Sequence, residues 1–543
     1  MGSSDQWLAQ RLRDDKAVAV LLGALTVVLL VATAPHIGLT WDEPAYIAAS
    51  ESYAAWFARL VTQPRYALSA QGIEEHWTAN HEHPPLNKVW CGLVWSVARH
   101  LFDDLTAHRL GNILLVGALV ALLYLLVAKE LGQRAGLLAV GALLTMPRFF
   151  FHAHLAALDV PAAFVVFVTV FAFWRTRDRR SLGWDLCLGL IWGLAMATKI
   201  NAIFVPLTLL AWILLFRRRL YAFRRLVLMG LIGVPVFMAV WPWLYREFVP
   251  RLLEYILFVT VDHWKIGQFY LGRFHMPPPW HFAFVMTLAV VPLSLTVSYA
   301  LGAVRALGAK QLRALGGLLV VCALVPLVAL AVGQSMVYDN ERLFMPTFPF
   351  LAALAGMGLD WAIQDAQKLA QRPGKPALAR VAALAVVLAA FVPQIVVAGG
   401  LYPHLLSYYA APVGGLPGAV RLGLETTYWC ETYAEALPYL NEHARAGDVV
   451  WVENWSHDVM FYYQLQGRLD GGLRIAWPPT GSSVFAHKGR RGVKVTIDEA
   501  DFVVIQYRQT GFGEEIRVWL RRHEPVYQVS HRGIPLIEVY ARH

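Results

Sequence analysis

The stretch that decides the fold runs from Ala17 to Tyr46, AVAVLLGALTVVLLVATAPHIGLTWDEPAY. Its opening part, Ala17 to Ala34, carries no charge, and a membrane-spanning helix needs about 20 mostly apolar residues. The run lacks the small-residue cleavage site of a secretory leader and reads as a retained anchor. Just beyond it stand two adjacent carboxylates, Asp42 and Glu43, between Trp41 and Tyr46. A chain that leaves the bilayer onto paired acids flanked by aromatics is expected to do its chemistry at the membrane surface.

The rest of the chain repeats the apolar theme. Of 543 residues, 57% are hydrophobic and 15% charged, with a mean hydropathy of +0.48, whereas soluble domains carry about 25% charged residues. The expected fold is a polytopic α-helical membrane protein of about eleven transmembrane helices. They lie near 17–35, 110–128, 135–151, 160–174, 183–199, 201–216, 226–244, 281–300, 315–332, 346–363 and 380–399. The net charge of +10 does not imply nucleic acid, because the basic residues come in short clusters between apolar runs. Arg11, Arg13 and Lys16 precede the first run, and Lys129 and Arg134 follow the second. Arg175, Arg177, Arg179 and Arg180 follow the fourth, and Arg217, Arg218, Arg219, Arg224 and Arg225 the sixth. Arg305, Lys310 and Arg313, then Lys368, Arg372, Lys375 and Arg380, complete an alternation in every second loop. Because cytoplasmic loops are enriched in Lys and Arg, the amino terminus is expected in the cytoplasm and everything after about residue 400 outside. The setting this suggests is a plasma membrane, of the bacterial inner-membrane kind. The four cysteines show no metal-type spacing and no disulfide framework is expected, with a Cys91–Cys430 bridge left open.

The loops on the opposite side are long. The first, His36 to about Arg109, is rich in Trp, His and Glu, and its amphipathic pieces Tyr46–Leu60 and Leu86–Leu101 should lie along the interface. Two others run over 245–280 and 338–342. From Leu401 the composition becomes that of a soluble α/β domain, giving a division into residues 1–400 and 401–543. Asp448–Val452 and Asp501–Ile505 read as buried strands, Thr432–His443 and Glu514–Arg522 as amphipathic helices, and Pro525–Tyr540 as a strand pair. There is no glycine-rich phosphate loop and no internal repeat.

Several side chains could carry chemistry. An Asp-Glu pair at the end of a span is most often a solvated helix cap, but Trp41 and Tyr46 could stack on a sugar ring, and Asp42 could take a proton from an attacking hydroxyl. In His81-Glu82-His83-Pro84-Pro85-Leu86-Asn87-Lys88, the prolines suit the first turn of a helix. Lys88 reads either as a snorkelling anchor or as a partner for a lipid phosphate. Asp159, beside Pro161, is either a cap or a functional acid at the membrane boundary. His152 and His154 could hold a divalent metal with Asp42 or Glu43. Lys199 and Arg342 sit in outside turns, Arg342 beside Asp339 and Glu341, where either could be locally paired. Asp262-His263 and His457-Asp458 read as polar surface. Together, Lys88, Lys199 and Arg342 offer cations for a leaving phosphate, and Asp42 and Asp159 carboxylates for a nucleophile.

In that order these motifs resemble the C-type (GT-C) glycosyltransferase superfamily. The protein O-mannosyltransferases, lipid A aminoarabinose transferases and Rgt-type transferases share an Asp-Glu after the first span, a His-Pro-Pro-Leu-x-Lys helix entry and a Leu-Asp pair. Here these are Asp42-Glu43, His83 to Lys88 and Leu158-Asp159. Gly193 to Lys199, and Glu341-Arg342 with Pro346 and Pro349, are similar to later signatures. The resemblance covers roughly residues 20–400. It implies a sugar drawn from a polyprenyl-phosphate donor on the outer face, usually with inversion. By the same resemblance Asp42 stands at the catalytic base, Glu43 and Asp159 place it or the acceptor, and Lys88 and Arg342 contact the carrier phosphate. The chain has no β-trefoil insertion, so the acceptor stays open among glycan, glycolipid and protein. A transporter or flippase would instead need mid-membrane charges and paired broken helices. A non-catalytic scaffold would leave the acids and cations scattered.

Overall fold

A computed structural model describes residues 3–216, 220–262, 265–332, 337–371, 376–453, 456–476 and 483–542. Arg217, Arg218, Arg219, His263, Arg372 and Lys375 lie outside the described residues. Each of the eleven expected spans falls on helix, with different lengths. Seven helices are long and apolar enough to cross a membrane: Asp14–His36, Asp104–Leu131, Asp159–Thr176, Tyr221–Ala239, Arg313–Val332, Arg342–Ala370 and Ala377–Leu401. The chain is a multi-pass membrane protein.

The remaining apolar segments are shorter or broken, for local reasons. Phe282–Val290 and Leu293–Gly308 meet at 116°. Pro292 lies between them and holds Val291 extended at ψ 130°, as proline does to the residue before it. The expected 135–151 span likewise divides into Gln133–Leu144 and Pro147–His152, because Met146, ahead of Pro147, is extended. Leu182–Thr198 and Ile200–Phe216 are the other short apolar pieces.

Both stretches expected to lie along the interface are helical, as Glu43–Thr62 and Leu86–Ala98. The first begins with Pro44 in its opening turn and buries Tyr46, Ile47, Ser50, Tyr53 and Trp56. Trp77 stacks on Tyr53 with ring centroids 4.4 Å apart and meets Trp56 edge-on at 5.1 Å, an aromatic knot that fixes the first loop against itself.

The C-terminal part holds a five-stranded mixed sheet. In spatial order the strands are Arg474–Ala476, Val449–Val452, Phe502–Gln506, Ile534–Ala541 and Tyr527–His531. The first three run parallel and the last two antiparallel. Val449–Val452 and Phe502–Gln506 are buried along their whole length, as strands covered on both faces must be. Val450, Val452 and Val504 pack on the helix His457–Leu465, while Trp451, Val503 and Ile505 pack with Ile516 and Trp519 of Glu514–Arg522. The expected Thr432–His443 helix is split into a 3-10 turn, Glu431–Glu435, and a short helix, Leu437–His443, with a proline in its first turn.

Composition and packing change at different places. Leu405, Tyr408, Tyr428 and Trp429 share a core with Ile37, Tyr46, Phe151 and Leu158, so the chain after Leu401 first packs on the membrane-helix part. Trp41 N donates to Trp429 O at 3.0 Å. A Cβ on Gly38 would lie 1.9 Å from Glu431 O, so only glycine lets these backbones approach. All four cysteines are free; Cys91 Sγ donates to Asn112 Oδ1 at 3.2 Å and Cys430 Sγ lies 3.3 Å from Ser456 Oγ. The bridge left open from sequence does not form.

Candidate active site

Three carboxylates converge on one guanidinium. Arg342 NH2 donates to Asp42 Oδ2, NH1 to Asp339 Oδ2 at 2.6 Å, and Nε to Asp159 Oδ2 at 3.2 Å. Lys199 Nζ meets the other oxygen of Asp159 at 2.5 Å, and Arg508 NH2 meets the other oxygen of Asp339 at 2.9 Å. Trp429 lies under Arg342, 4.0 Å from guanidinium carbon to ring centre, and Trp41 lies under Arg508 at 4.3 Å. Every ion is paired, as burial demands. Exposure separates the acids: 25% of the Asp42 side chain is open, against 2% for Asp159 and 3% for Asp339.

Local structure explains how these groups meet. Asp42 occupies the N-cap position of Glu43–Thr62, yet its carboxylate makes no capping bond; it turns to Arg342 and accepts from Tyr46 OH at 3.3 Å. Asp159 is the first residue of its helix, after the N-cap Leu158, and is bonded to Lys199 and Arg342. Asp339 and Asn340 both have left-handed backbones, φ 53° and 55°, a conformation Asp and Asn tolerate better than most residues. Gln268 Oε1 accepts from Asn340 N at 3.2 Å, and the two arginines hold Asp339. Burial raises the Asp42 carboxyl above its ordinary value; Arg342 restrains the rise while Asp339 and Asp159 add to it. The result is a partly open carboxylate more basic than usual.

Glu43, one residue on, is built differently. Its Oε1 accepts from Arg109 Nε at 2.8 Å and Ala156 N at 2.9 Å, and its Oε2 from Arg109 NH2 at 2.7 Å and from Thr40 N and Oγ1 at 2.9 and 3.0 Å. Arg109 spends its other donors on the carbonyls of Ala34, Ile37 and Gly38. Burial alone would raise the Glu43 carboxyl; Arg109 and the backbone donors more than offset it and hold it low. The knot ties the end of the first span to the helices on either side.

The other expected residues stand around the hub. Tyr46, which is bonded to Asp42, meets the His83 ring edge-on at 6.0 Å. Lys88 is buried and donates to Asn80 O at 2.5 Å, Asn80 Oδ1 at 2.9 Å and His83 O at 2.9 Å. Burial pulls its amine down to about 7, and it shapes the 80–83 turn from within. His152 Nε2 lies 2.9 Å from Tyr428 OH, while His154 is bonded to Thr33 Oγ1 at 2.7 Å and Phe150 O at 2.8 Å. The two histidines therefore serve different partners. Among the described residues, the His, Cys, Asp and Glu side chains close enough to share a metal are Glu51, Asp104 and His108.

Several hub residues are given no role in the site by the sequence alone. Trp429 and Arg508 come from the C-terminal part, with no local pattern to mark them. Arg508 is further surrounded by Glu425 and Glu453, and burial pushes Glu453 up to about 8, so this acid adds no charge at neutral pH. Arg148, inside an apolar run, pairs with Glu341 at 2.7 Å, and Tyr428 OH donates to the same carboxylate at 2.8 Å. A single arginine in such a run is a signal in its own right. A mostly apolar groove is lined by Val166, Val170, Asn201, Phe204, Leu330 and Leu343 among others.

With the fold and the site described, the chain can be compared with known proteins. The structure of ArnT from Cupriavidus metallidurans in the apo state superposes with a TM-score of 0.54 at 16% identity, covering 99% of this chain and 98% of that one. ArnT bound to undecaprenyl phosphate gives 0.53 at 16%, covering 96% and 98%. The family model of dolichyl-phosphate-mannose-protein mannosyltransferase matches residues 82–243, a segment that includes Asp159 and Lys199 but neither Asp42 nor Arg342. No curated protein matches the chain in sequence.

Proposed function

We propose that this chain is an inverting glycosyltransferase that moves a sugar from a polyprenyl-phosphate donor to a hydroxyl-bearing acceptor on the outer face of the membrane. The observation that carries the reading is the hub, where Asp42, Asp159 and Asp339 meet Arg342 and only Asp42 is open. The mostly apolar groove supports a lipid-borne donor. Asn201 and Leu343, which line it, directly follow the turn and helix start that carry Lys199 and Arg342, so an apolar tail in the groove would place its phosphate at these cations. The bound undecaprenyl phosphate of the ArnT structure points the same way.

In this mechanism the donor phosphate takes over the Arg342 donors that hold Asp42, which frees the base. Asp42 accepts the acceptor's hydroxyl proton as its oxygen bonds to the anomeric carbon. The bond from that carbon to the phosphate oxygen breaks, and the lipid phosphate leaves with its charge held by Arg342 and Lys199. His83, Tyr46 and Trp41 border the sugar, and Asp159 orients the two cations. Replacing Asp42 with Asn removes the base and keeps the shape. Transfer from a polyprenyl-phosphate sugar should then be lost while lipid-phosphate binding persists; transfer near the wild-type rate would sink the assignment.

A further inference from the structure

A second group of ligand-type side chains joins Glu51, on the interfacial helix about two turns beyond Glu43, to Asp104 and His108 in the first turns of the helix Asp104–Leu131. Glu51 Oε1 is 3.7 Å from His108 Nε2, and Asp104 Oδ1 is 3.8 Å from the same nitrogen. His108 is fully buried, and among the described residues neither of its ring nitrogens has a hydrogen-bond partner. Its ring is stacked on Trp95 at 4.8 Å, so it cannot easily swing away. A buried imidazole left without partners costs free energy that some ligand should recover.

The spacing favours a metal ion over a shared proton. A charge-assisted N–H to carboxylate bond closes to about 2.7–2.9 Å, well inside the distances here. A tetrahedral ion with bonds of about 2.1 Å holds its ligand atoms about 3.4 Å apart. The two nitrogen–oxygen separations exceed that spacing by only about 0.3–0.4 Å, and all three ligand atoms lie within 4.8 Å of one another.

The surroundings hold these ligands in place. Asp104 Oδ2 accepts from Tyr462 OH at 2.8 Å and Gln466 Nε2 at 3.0 Å, and Trp95 Nε1 donates to Asp104 Oδ1 at 2.9 Å. Lys488 Nζ takes the second oxygen of Glu51 at 2.7 Å, leaving the first for the ion. Two carboxylates, one ammonium and a neutral imidazole leave a net charge of −1, which suits a dication. An imidazole among the ligands selects a zinc-type ion over calcium or magnesium.

We propose that Glu51, Asp104 and His108 bind a divalent zinc-type ion. The ion clamps the first loop to the C-terminal part, because Glu51, Asp104 and His108 come from the former and Tyr462, Gln466 and Lys488 from the latter. The site is separate from the Arg342 hub and does not depend on the reaction assigned to it.

The test uses the full-length protein in detergent, stripped with a chelator and dialysed against micromolar zinc chloride, with metal counted by mass spectrometry. Wild type should retain about one zinc per chain and gain thermal stability from it. H108Q and E51Q should each weaken retention by more than the roughly 10–100-fold typical of losing an outer partner. Glu51 is partly exposed, so E51Q keeps the test valid where H108Q fails to fold. Lys488→Met, which keeps all three ligands and removes the competing cation, should bind zinc at least as tightly. Equal retention by wild type and E51Q, or loss of binding in Lys488→Met, would overturn the site.

Discussion

Asp42 and Glu43 are neighbours in the chain and opposites in the structure. Glu43 sits in a closed knot with Arg109, three donors from the Thr40 and Ala156 regions, and no exposed atom. Asp42 shares one arginine with two other acids and keeps an open side. A fully bonded buried ion pair fixes geometry, whereas a carboxylate held by a contested partner can be released from it. Adjacent acids of the same chemical type thus divide into a fastener and, in the proposed reaction, the base, and the difference lies in what else their arginines hold.

The contrast can be broken from both sides. Asp42→Asn should lower the transfer rate on the order of 10²–10⁴-fold with little change in the thermal midpoint, measured on one preparation. Glu43→Ala should do the reverse. It strands Arg109 and should cost about 3–5 kcal/mol of stability, read by thermal unfolding in detergent. Arg342→Lys keeps the charge but loses the planar fork that reaches three acids, and the rate should fall on the order of 10²–10³-fold. Trp429→Ala removes the face beneath Arg342 and should cost about 0.5–2 kcal/mol in the same assays.

Titration sharpens the comparison further. A base works when deprotonated, so the raised Asp42 carboxyl should put the acid limb of kcat/KM above the ordinary carboxylate range. Arg342 restrains that rise, so Arg342→Gln should move the limb to still higher pH. Glu43 is held below its ordinary value of 4.5. Its contribution to stability is therefore complete above about that pH and lost as pH falls through the folded-state value. Acid should stop the chemistry before it undoes the knot.

Much of the membrane part was legible because lipid imposes long apolar runs. All eleven expected segments fall on helix, and the α/β tail showed in its strands. The breaks at Pro147 and Pro292 blurred the helix lengths, since hydropathy averages over a bend that dihedral restraint decides. In the site, Asp42, Asp159, Lys199 and Arg342 were marked by charges at the ends of apolar runs, and they meet at one point. Lys88 carried the same mark and points into its own loop, because sequence reveals that a charge stands near the membrane, not which carbonyls surround it. The purpose of Glu43 was hidden for the same reason, as Arg109 lies 66 residues away. Trp429 and Arg508 carried no local sign of a place in the site, being brought there by tertiary packing.

The stacking of Trp41 on Arg508 has a consequence for the order of assembly. Chains emerge from the ribosome amino terminus first, so the first loop is in place long before residue 508 is made. Until that residue is made, Asp339 has only Arg342 of its two arginines. A chain cut short before residue 508 could thus be inserted in the bilayer with the charge balance of its hub still incomplete.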